Sequence, residues 1–473
     1  MRILLLKPNS NIPIAILPLG LMYLSSYLKK KDNSYDIKLI DGGVEDIRNE
    51  KKYVKILSDY HPDIVGISAL NCHSGKSKQL ATLTKKMNKN TVIVLGGPYP
   101  SSDYQTCLSH ADIDYAVVGE GEETFFELVK AVKVKQGFEN IKGLAYKKNG
   151  TAVFNGIRET IKNLDTLPFP DYSLININSY FFGSGNQVPW KKRTAIITTS
   201  RGCPFRCGYC HNIFGESVQF RSIANVIGEI SFLKKQYNIE EIGFADDCFN
   251  ADKNRAKSLL KELIKSNMGI KLSFPNGLRI DKIDEEFITL LKKAQVYNVA
   301  FGLETATKRN QVLIKKNLDL ERARHIIAAV AKQGIIAHGF FMLGFPEETE
   351  EEMLATIKYA VSLALHTASF NIVTPFPGTE LWQRSQKTKK IIDADSTYKD
   401  SNKISINLSN VNDERLYQLK MIAYRKFYFD IRRIFIILRA NYNKHYVFRS
   451  GMRLLLLSLD LQKNKTKFTN HDK

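Results

Sequence analysis

No apolar run in this chain approaches the roughly 18 residues that a membrane-spanning helix needs, so nothing in it is expected to cross a bilayer. The opening Met1-Arg-Ile-Leu-Leu-Leu-Lys7 has too short an apolar stretch for a secretory leader and reads as a buried first strand. Low-complexity tracts and repeats are absent as well, which leaves an ordinary globular composition. Cysteine is scarce, six in 473 residues with three of them clustered. That excludes a disulfide framework and fits a reducing cytosol; Cys72, Cys107 and Cys248 are expected as reduced, largely buried thiols. Acidic residues are outnumbered, 48 Asp and Glu against 69 Lys and Arg. The excess comes with no basic recognition helix and no aromatic nucleic-acid signature, so nucleic acid is not expected as a partner. Its one concentration is residues 413–473, where 14 Lys/Arg stand against 5 Asp/Glu, a net of +9. The length suggests two or three domains.

The three clustered cysteines are Cys203, Cys207 and Cys210, in Thr199-Ser-Arg-Gly-Cys-Pro-Phe-Arg-Cys-Gly-Tyr-Cys-His211. A structural zinc site takes four ligands, and an ordinary 4Fe–4S cluster takes four thiolates. Three thiolates leave one iron open to bind and reduce an outside molecule. The plainer readings are a zinc knuckle that borrows His211, or chance clustering.

Ahead of the motif, short apolar runs at 3–6, 35–40, 64–68, 92–95 and 115–118 alternate with helical patterns at 19–30, 44–59, 75–86 and 122–135. Such alternation predicts a parallel sheet covered on both faces. Ligands of these sheets lie beyond the carboxyl ends of the strands. Here those ends carry Pro8 and Asn9; Ser68, Ala69 and Leu70; Gly96, Gly97 and Pro98; and Gly119 and Glu120. Residues 141–156 alternate around Asn149-Gly150 and predict a β-hairpin. Asn163-Leu-Asp-Thr-Leu-Pro-Phe-Pro-Asp171 reads as an extended connector. From residue 194, strands are predicted at 195–200, 241–245, 271–274, 298–303, 337–343 and 369–373. Helices are predicted at 223–237, 253–266, 284–294, 320–333 and 350–363. Six strand–helix repeats suggest a partial (β/α)6 barrel, whose catalytic groups gather where strands end, here at Asp246-Asp247, Asn276-Gly-Leu-Arg279 and Gly302-Leu-Glu304.

The cysteine spacing, with Tyr209 before the last cysteine, resembles the radical S-adenosylmethionine (SAM) superfamily. Val94-Leu-Gly-Gly-Pro-Tyr-Pro100 and Val118-Gly-Glu-Gly-Glu-Glu-Thr124 look like the cobalamin-binding domain that precedes many radical SAM domains. Phe340-Phe-Met-Leu-Gly-Phe-Pro346 and Pro375-Phe-Pro-Gly-Thr-Glu-Leu381 are similar to phrases of the same group. The resemblance implies an α/β chain: a doubly wound parallel sheet at 1–140, a hairpin and linker at 141–193, a partial (β/α)6 radical SAM barrel at 194–385, and a helical basic region at 386–473. It implies that Cys203, Cys207 and Cys210 hold a 4Fe–4S cluster whose open iron chelates SAM. Asp246 and Asp247 would contact the SAM amino group, although they also read as a helix N-cap. Asn276, Arg279 and Glu304 would line the SAM pocket or substrate channel. The four loops of the first sheet would hold cobalamin mainly by shape and backbone. A histidine-ligated cobalamin domain carries Asp-x-His-x-x-Gly after its first strand; this chain reads Lys7-Pro-Asn-Ser-Asn11, so no histidine of that motif is expected on cobalt. His73 reads as a solvated loop histidine or a neighbour of the corrin's lower face. Cys248 reads as a small buried residue beside the pocket rather than a catalytic thiol.

Such enzymes reduce SAM to methionine and a 5′-deoxyadenosyl radical, which takes hydrogen from an unactivated carbon; cobalamin then delivers a methyl group. A class B radical SAM methyltransferase acting on a small molecule or lipid is the expected function, with an electron donor such as flavodoxin or ferredoxin. Cyclisation, rearrangement or oxidation by the same cofactors is the alternative. A tRNA methylthiotransferase would carry three more cluster cysteines ahead of the motif, where only Cys72 and Cys107 stand. A non-enzymatic cobalamin or iron–sulfur sensor is the remaining class. Residues 170–193 and the tail are expected to shape the substrate entrance. A basic, aromatic helix at 415–440 packs on the barrel or touches a membrane surface.

Overall fold

The structure, a computed structural model, describes residues 1–9, 16–45, 47, 49–180, 193–387 and 406–440. Residues 181–192 of the expected entrance-shaping segment 170–193, and the tail beyond 440, lie outside the described residues. The chain divides into two compact units. The first is Met1–Gly185, Lys192–Ala251 and Thr374–Ile406; the second is Asn186–Lys191, Asp252–Val373 and Asn407–Lys473.

The first unit begins with β1 (Arg2–Lys7), α1 (Leu19–Lys31), β2 (Asp36–Asp41), α2 (Glu50–Tyr60), β3 (Ile64–Ser68), α3 (Ser74–Met87) and β4 (Val92–Gly96). It continues through α4 (Pro98–Leu108), β5 (Tyr115–Val117), α5 (Glu122–Val134), β6 (Leu144–Lys148) and β7 (Thr151–Phe154). The sheet order is β2-β1-β3-β4-β5-β6-β7, parallel through β5 and antiparallel beyond it. Ile3, Leu4, Leu5 and Leu6 are all fully buried, because helices cover both faces and every β1 side chain has a core to enter. Each such residue stabilises by roughly 1.5–3 kcal/mol. The chain reverses its winding between β1 and β3, the switch point at which open α/β sheets take ligands. The predicted hairpin is present, with Asn149 at φ 53° and Gly150 at φ 79°.

The first unit also holds β8 (Thr194–Ile197), β9 (Ser200–Arg201), β10 (Gln219–Phe220), α6 (Ile223–Tyr237), β11 (Glu241–Phe244) and, later in the chain, α12 (Glu380–Lys387). The second unit carries α7 (Lys253–Ser266), β12 (Lys271–Leu278), α8 (Glu285–Lys293), β13 (Val296–Glu304), α9 (Lys308–Leu313) and α10 (Leu320–Lys332). It ends with β14 (Ile336–Leu343), α11 (Glu350–Ser362), β15 (Thr367–Ile372), α13 (Asp413–Tyr428) and α14 (Ile431–Ala440). β8 pairs in parallel with β11, and β12 to β15 pair in parallel in chain order. This is the strand–helix succession of the expected radical SAM barrel. The backbone of β15 is covered by α13: the Phe370 amide donates to the Tyr424 hydroxyl at 3.2 Å and the Ala368 amide to the Tyr428 hydroxyl at 3.0 Å.

Several expectations are corrected. The second helix starts at Glu50 rather than near Val44, because Asn49 caps it by accepting from the Lys51 amide. Pro98-Tyr-Pro100 opens a helix instead of a loop, since proline fits the first turn. The basic helix is two helices, interrupted at Phe429 and Asp430. Cys72 is exposed, whereas Cys107 and Cys248 are buried. His73 is buried, not solvated: its Nδ1 accepts from the Leu70 amide at 3.4 Å, and burial pulls its pKa down to about 4. Asp252, not Asp246 or Asp247, caps α7.

After β14 the chain is fastened by Glu348, which accepts from the amides of Gly344 at 2.6 Å and Phe345 at 3.0 Å and from Asn310 Nδ2 at 2.8 Å. Burial pushes its carboxyl from 4.5 up to about 7. Glu348 therefore holds its proton more tightly folded than unfolded, and its contribution to stability is lost as pH rises from 4.5 through about 7. Glu348→Gln removes that slope. In denaturant unfolding, the wild type should lose up to about 1.4 kcal/mol per pH unit relative to the variant across this window; parallel pH curves for the two proteins would contradict it.

Candidate active site

The cysteine loop, residues 202–218, hangs from the two-residue ladder of β9 and β10, in which Arg201 faces Gln219 and Ser200 faces Phe220. Gly202 enters it at φ 91°, and a Cβ there would stand 2.6 Å from the Ser217 carbonyl. The loop closes on itself: the Cys203 amide donates to Gly215 O at 3.3 Å, the Cys210 amide to Cys207 O at 3.0 Å, and Asn212 Nδ2 to Cys203 O at 3.1 Å. From outside, the Leu381 amide donates to Gly208 O at 3.0 Å. Cys203 and Cys207 are half-buried, Cys210 is exposed, and none is in a disulfide. Among the described residues no three His, Cys, Asp or Glu side chains are grouped to hold a single metal ion. A cubane makes a different demand, since each thiolate holds its own iron and the sulfurs stand further apart than the ligands of one ion. His211 is otherwise engaged: its Nε2 is 2.9 Å from Asn71 Nδ2 and its ring packs 5.6 Å from that of Phe376. In this structure it is not the fourth ligand of a zinc knuckle.

The paired acids fasten the strand that feeds this loop. Asp246 Oδ1 accepts from the Thr199 amide at 3.0 Å, the Thr199 hydroxyl at 2.8 Å and the Ser200 hydroxyl at 2.5 Å. Asp247 Oδ2 accepts from the Gly202 amide at 3.0 Å. Arg201, between them, is buried and donates to Glu120 Oε1 at 2.7 Å and Glu122 Oε1 at 2.6 Å. The rings of Tyr23 and Phe214 pack on its guanidinium at 5.3 and 5.4 Å. Burial works against the charge on Arg201, and Glu122 with Glu120 more than restores it, so its pKa lies above the ordinary arginine value.

The carboxyl ends of β1, β3, β4 and β5 bring Pro8, Asn9, Ser68, Ala69, Leu70, Gly96, Gly97, Pro98, Gly119 and Glu120 to one edge of the first sheet. Gly97, at φ 93°, lets α4 close on β3, where a Cβ would be 3.2 Å from Ala69 O. Gly119, at φ 83°, has nothing within 4 Å of where its Cβ would be, which leaves room for a flat ligand. Leu70 offers an exposed apolar side chain, and Asn9 Oδ1 is buried without a hydrogen-bond partner among the described residues. An open glycine, an apolar contact and a spare acceptor fit a corrin held by shape. Glu120 contributes differently, because its second oxygen accepts from the Ile161 amide at 2.5 Å and its carboxylate is fully engaged by protein.

Asn276, Arg279 and Glu304 lie in the second unit. Asn276 is exposed on the irregular end of β12. Glu304 is buried at φ 62° against Lys316, Oε1 to Nζ 2.9 Å, and Arg279 donates to Lys316 O at 2.9 Å. Gly302 makes room for that pair, since a Cβ there would be 2.7 Å from both charged atoms. Sequence reasoning did not single out Arg201, Asn71 or Lys316, and it raised His211 only as a zinc ligand. Only Arg201 carried a signal, a charge placed directly before Gly202-Cys203.

Two family models match the chain, a B12 binding domain at residues 10–129 and the radical SAM superfamily at 197–360. An uncharacterized methyltransferase of Pyrococcus horikoshii is 33% identical, over 90% of this chain and 92% of its own length. The cytidylyl-2-hydroxyethylphosphonate methyltransferase of Streptomyces wedmorensis is 28% identical over 80% of each chain. Among solved structures, the radical SAM methyltransferase TsrM of Kitasatospora setae, bound to tryptophan and a SAM analogue, superposes with a TM-score of 0.69 at 19% identity, covering 82% of this chain and 77% of TsrM. TsrM with cobalamin and a [4Fe–4S] cluster gives a TM-score of 0.68 at 20% identity, covering 82% and 75%.

Arg201→Met should destabilise the cofactor-free protein by about 3–5 kcal/mol in urea unfolding, because Glu120 and Glu122 are left buried without a cation. Arg201→Lys should fall between, since one ammonium cannot serve both carboxylates in the same fork. A wild-type midpoint for Arg201→Met would refute the bridge. Gly202→Ala should open the loop through its clash with Ser217 O. Faster amide hydrogen exchange at residues 202–218 and reduced iron retention are the signs, and unchanged exchange would count against the close approach.

Proposed function

This chain belongs to the cobalamin-binding radical SAM enzymes, and we propose that it methylates an unactivated carbon of a small-molecule or lipid substrate. The observation that carries the reading is that the cysteine loop and the cobalamin-type sheet edge lie in one compact unit, tied by Arg201 to Glu120 and Glu122 and by His211 to Asn71. When bound, the [4Fe–4S] cluster, SAM and cobalamin supply reductive cleavage of SAM and methyl transfer. Cys203, Cys207 and Cys210 would each hold one iron and leave the fourth for SAM. The four loop ends, with Leu70, Gly119 and Asn9, would hold the corrin by shape. Tyr209 would pack beside the cluster. Asp246 and Asp247 act on the reaction by holding Thr199, Ser200 and Gly202 at the neck of the loop. Asn276, Arg279 and Glu304 would line the SAM and substrate channel, with Lys316 fixing the Glu304 carboxylate. Within the first unit, the residues around the cysteine loop and the sheet edge would orient the reacting groups and keep water from them. The reductant is read as a flavodoxin or ferredoxin, and the setting as the cytoplasm.

The test uses anaerobically reconstituted protein, a one-electron reductant, methyl-labelled SAM and a small-molecule and lipid extract. The expected results are 5′-deoxyadenosine, label on the bound cobalamin, and an acceptor heavier by one methylene. An acceptor that changes without gaining label would favour cyclisation or oxidation instead. Cys203→Ala should retain the corrin absorbance and lose 5′-deoxyadenosine formation to background. Undiminished SAM cleavage in that variant would overturn the assignment of the cysteines.

A further inference from the structure

Of the 13 large apolar side chains left in water among the described residues, five fall within eight positions: Phe429, Ile431, Ile434, Phe435 and Ile436. Ile431, Ile434 and Phe435 are spaced i, i+3 and i+4 on α14 and so share one face. Ile431 and Phe435 are each 68% exposed. Among the described side chains of α14, the one that is buried is charged. Arg433 is buried, donates to Val361 O at 2.8 Å, Leu363 O at 3.0 Å and Leu365 O, and lies 4.3 Å over the Phe427 ring. The helix is therefore docked by its arginine, through carbonyls at the end of α11, with its apolar face outward. A helix in water alone buries the opposite side.

We propose that this face rests on an anionic lipid surface. Charge selects the occupant: Arg425 and Lys426 are exposed on the adjoining α13, and residues 413–440 hold 7 Lys/Arg against 3 Asp/Glu, a net of +4. A second copy on the same face would set this charge against itself. An apolar helix face flanked by basic residues is the pattern of a helix lying at the headgroup boundary. No described helix is long and apolar enough to cross a membrane, so the contact is peripheral. It needs no cofactor, and its failure leaves the proposed chemistry untouched.

The experiment is co-sedimentation of the full-length protein with phosphatidylcholine vesicles, with and without phosphatidylglycerol. The protein should pellet with the anionic vesicles, be released by salt, and bind pure phosphatidylcholine weakly. Ile431→Ser combined with Phe435→Ser should weaken partitioning by about tenfold or more. The thermal midpoint should not move, because both side chains face solvent. Three outcomes would overturn the proposal: no binding of the wild type to anionic vesicles, equal binding by the double variant, or a concentration-dependent dimer that the double variant abolishes and that alone accounts for the face.

Discussion

Arg201 ties the cysteine loop to the sheet that would carry the corrin. Removing a guanidinium from water is costly unless its donors are matched, and here two carboxylates match them from both sides of the fork. Both acids belong to the turn after β5 and the first turn of α5, so the position of Gly202 and Cys203 follows from that of the first sheet. Tyr23, contributed by α1, closes one face of the same guanidinium. The neck of the loop is thus defined by three segments at once. Further order comes from the loop's own carbonyls, from the Leu381 amide on Gly208 O and from Asn71 on His211.

Most of the carboxylates near the site serve this fastening. Strand ends leave amides and hydroxyls that need acceptors when buried. Asp246 satisfies three such donors and Asp247 a fourth, while Glu120 divides its oxygens between Arg201 and Ile161. What remains facing the corrin edge is largely backbone and apolar surface. A large flat ligand with many weak contacts suits that surface better than a small charged one does. In the second unit the same economy recurs at Glu304, held by Lys316 in a backbone conformation that glycine ordinarily takes.

The strands were legible because a parallel sheet covered on both faces asks for uninterrupted apolar residues, and runs such as Ile64–Ser68 can be little else. Helices with acidic or hydroxyl caps were equally plain, as in Ile223–Tyr237 and Lys253–Ser266. Pro98-Tyr-Pro100 misled because proline marks loops and first helical turns alike. The cysteine motif and the glycine-rich turns were visible because their chemistry is local. The pairing of Arg201 was not, since its partners stand 79 and 81 positions earlier and no periodicity reaches that far. His73 and Cys72 were misjudged for the same reason: whether a side chain in a loop meets solvent depends on segments distant in the chain.

Cys210 is open to solvent, and Cys203 and Cys207 are partly so, on a loop whose neck is already secured by buried contacts elsewhere. Iron and sulfide can therefore be delivered to a finished protein from its surface. Maturation would then require no unfolding of the first unit, and these three thiols are the ones an assembly factor or an oxidant would meet first.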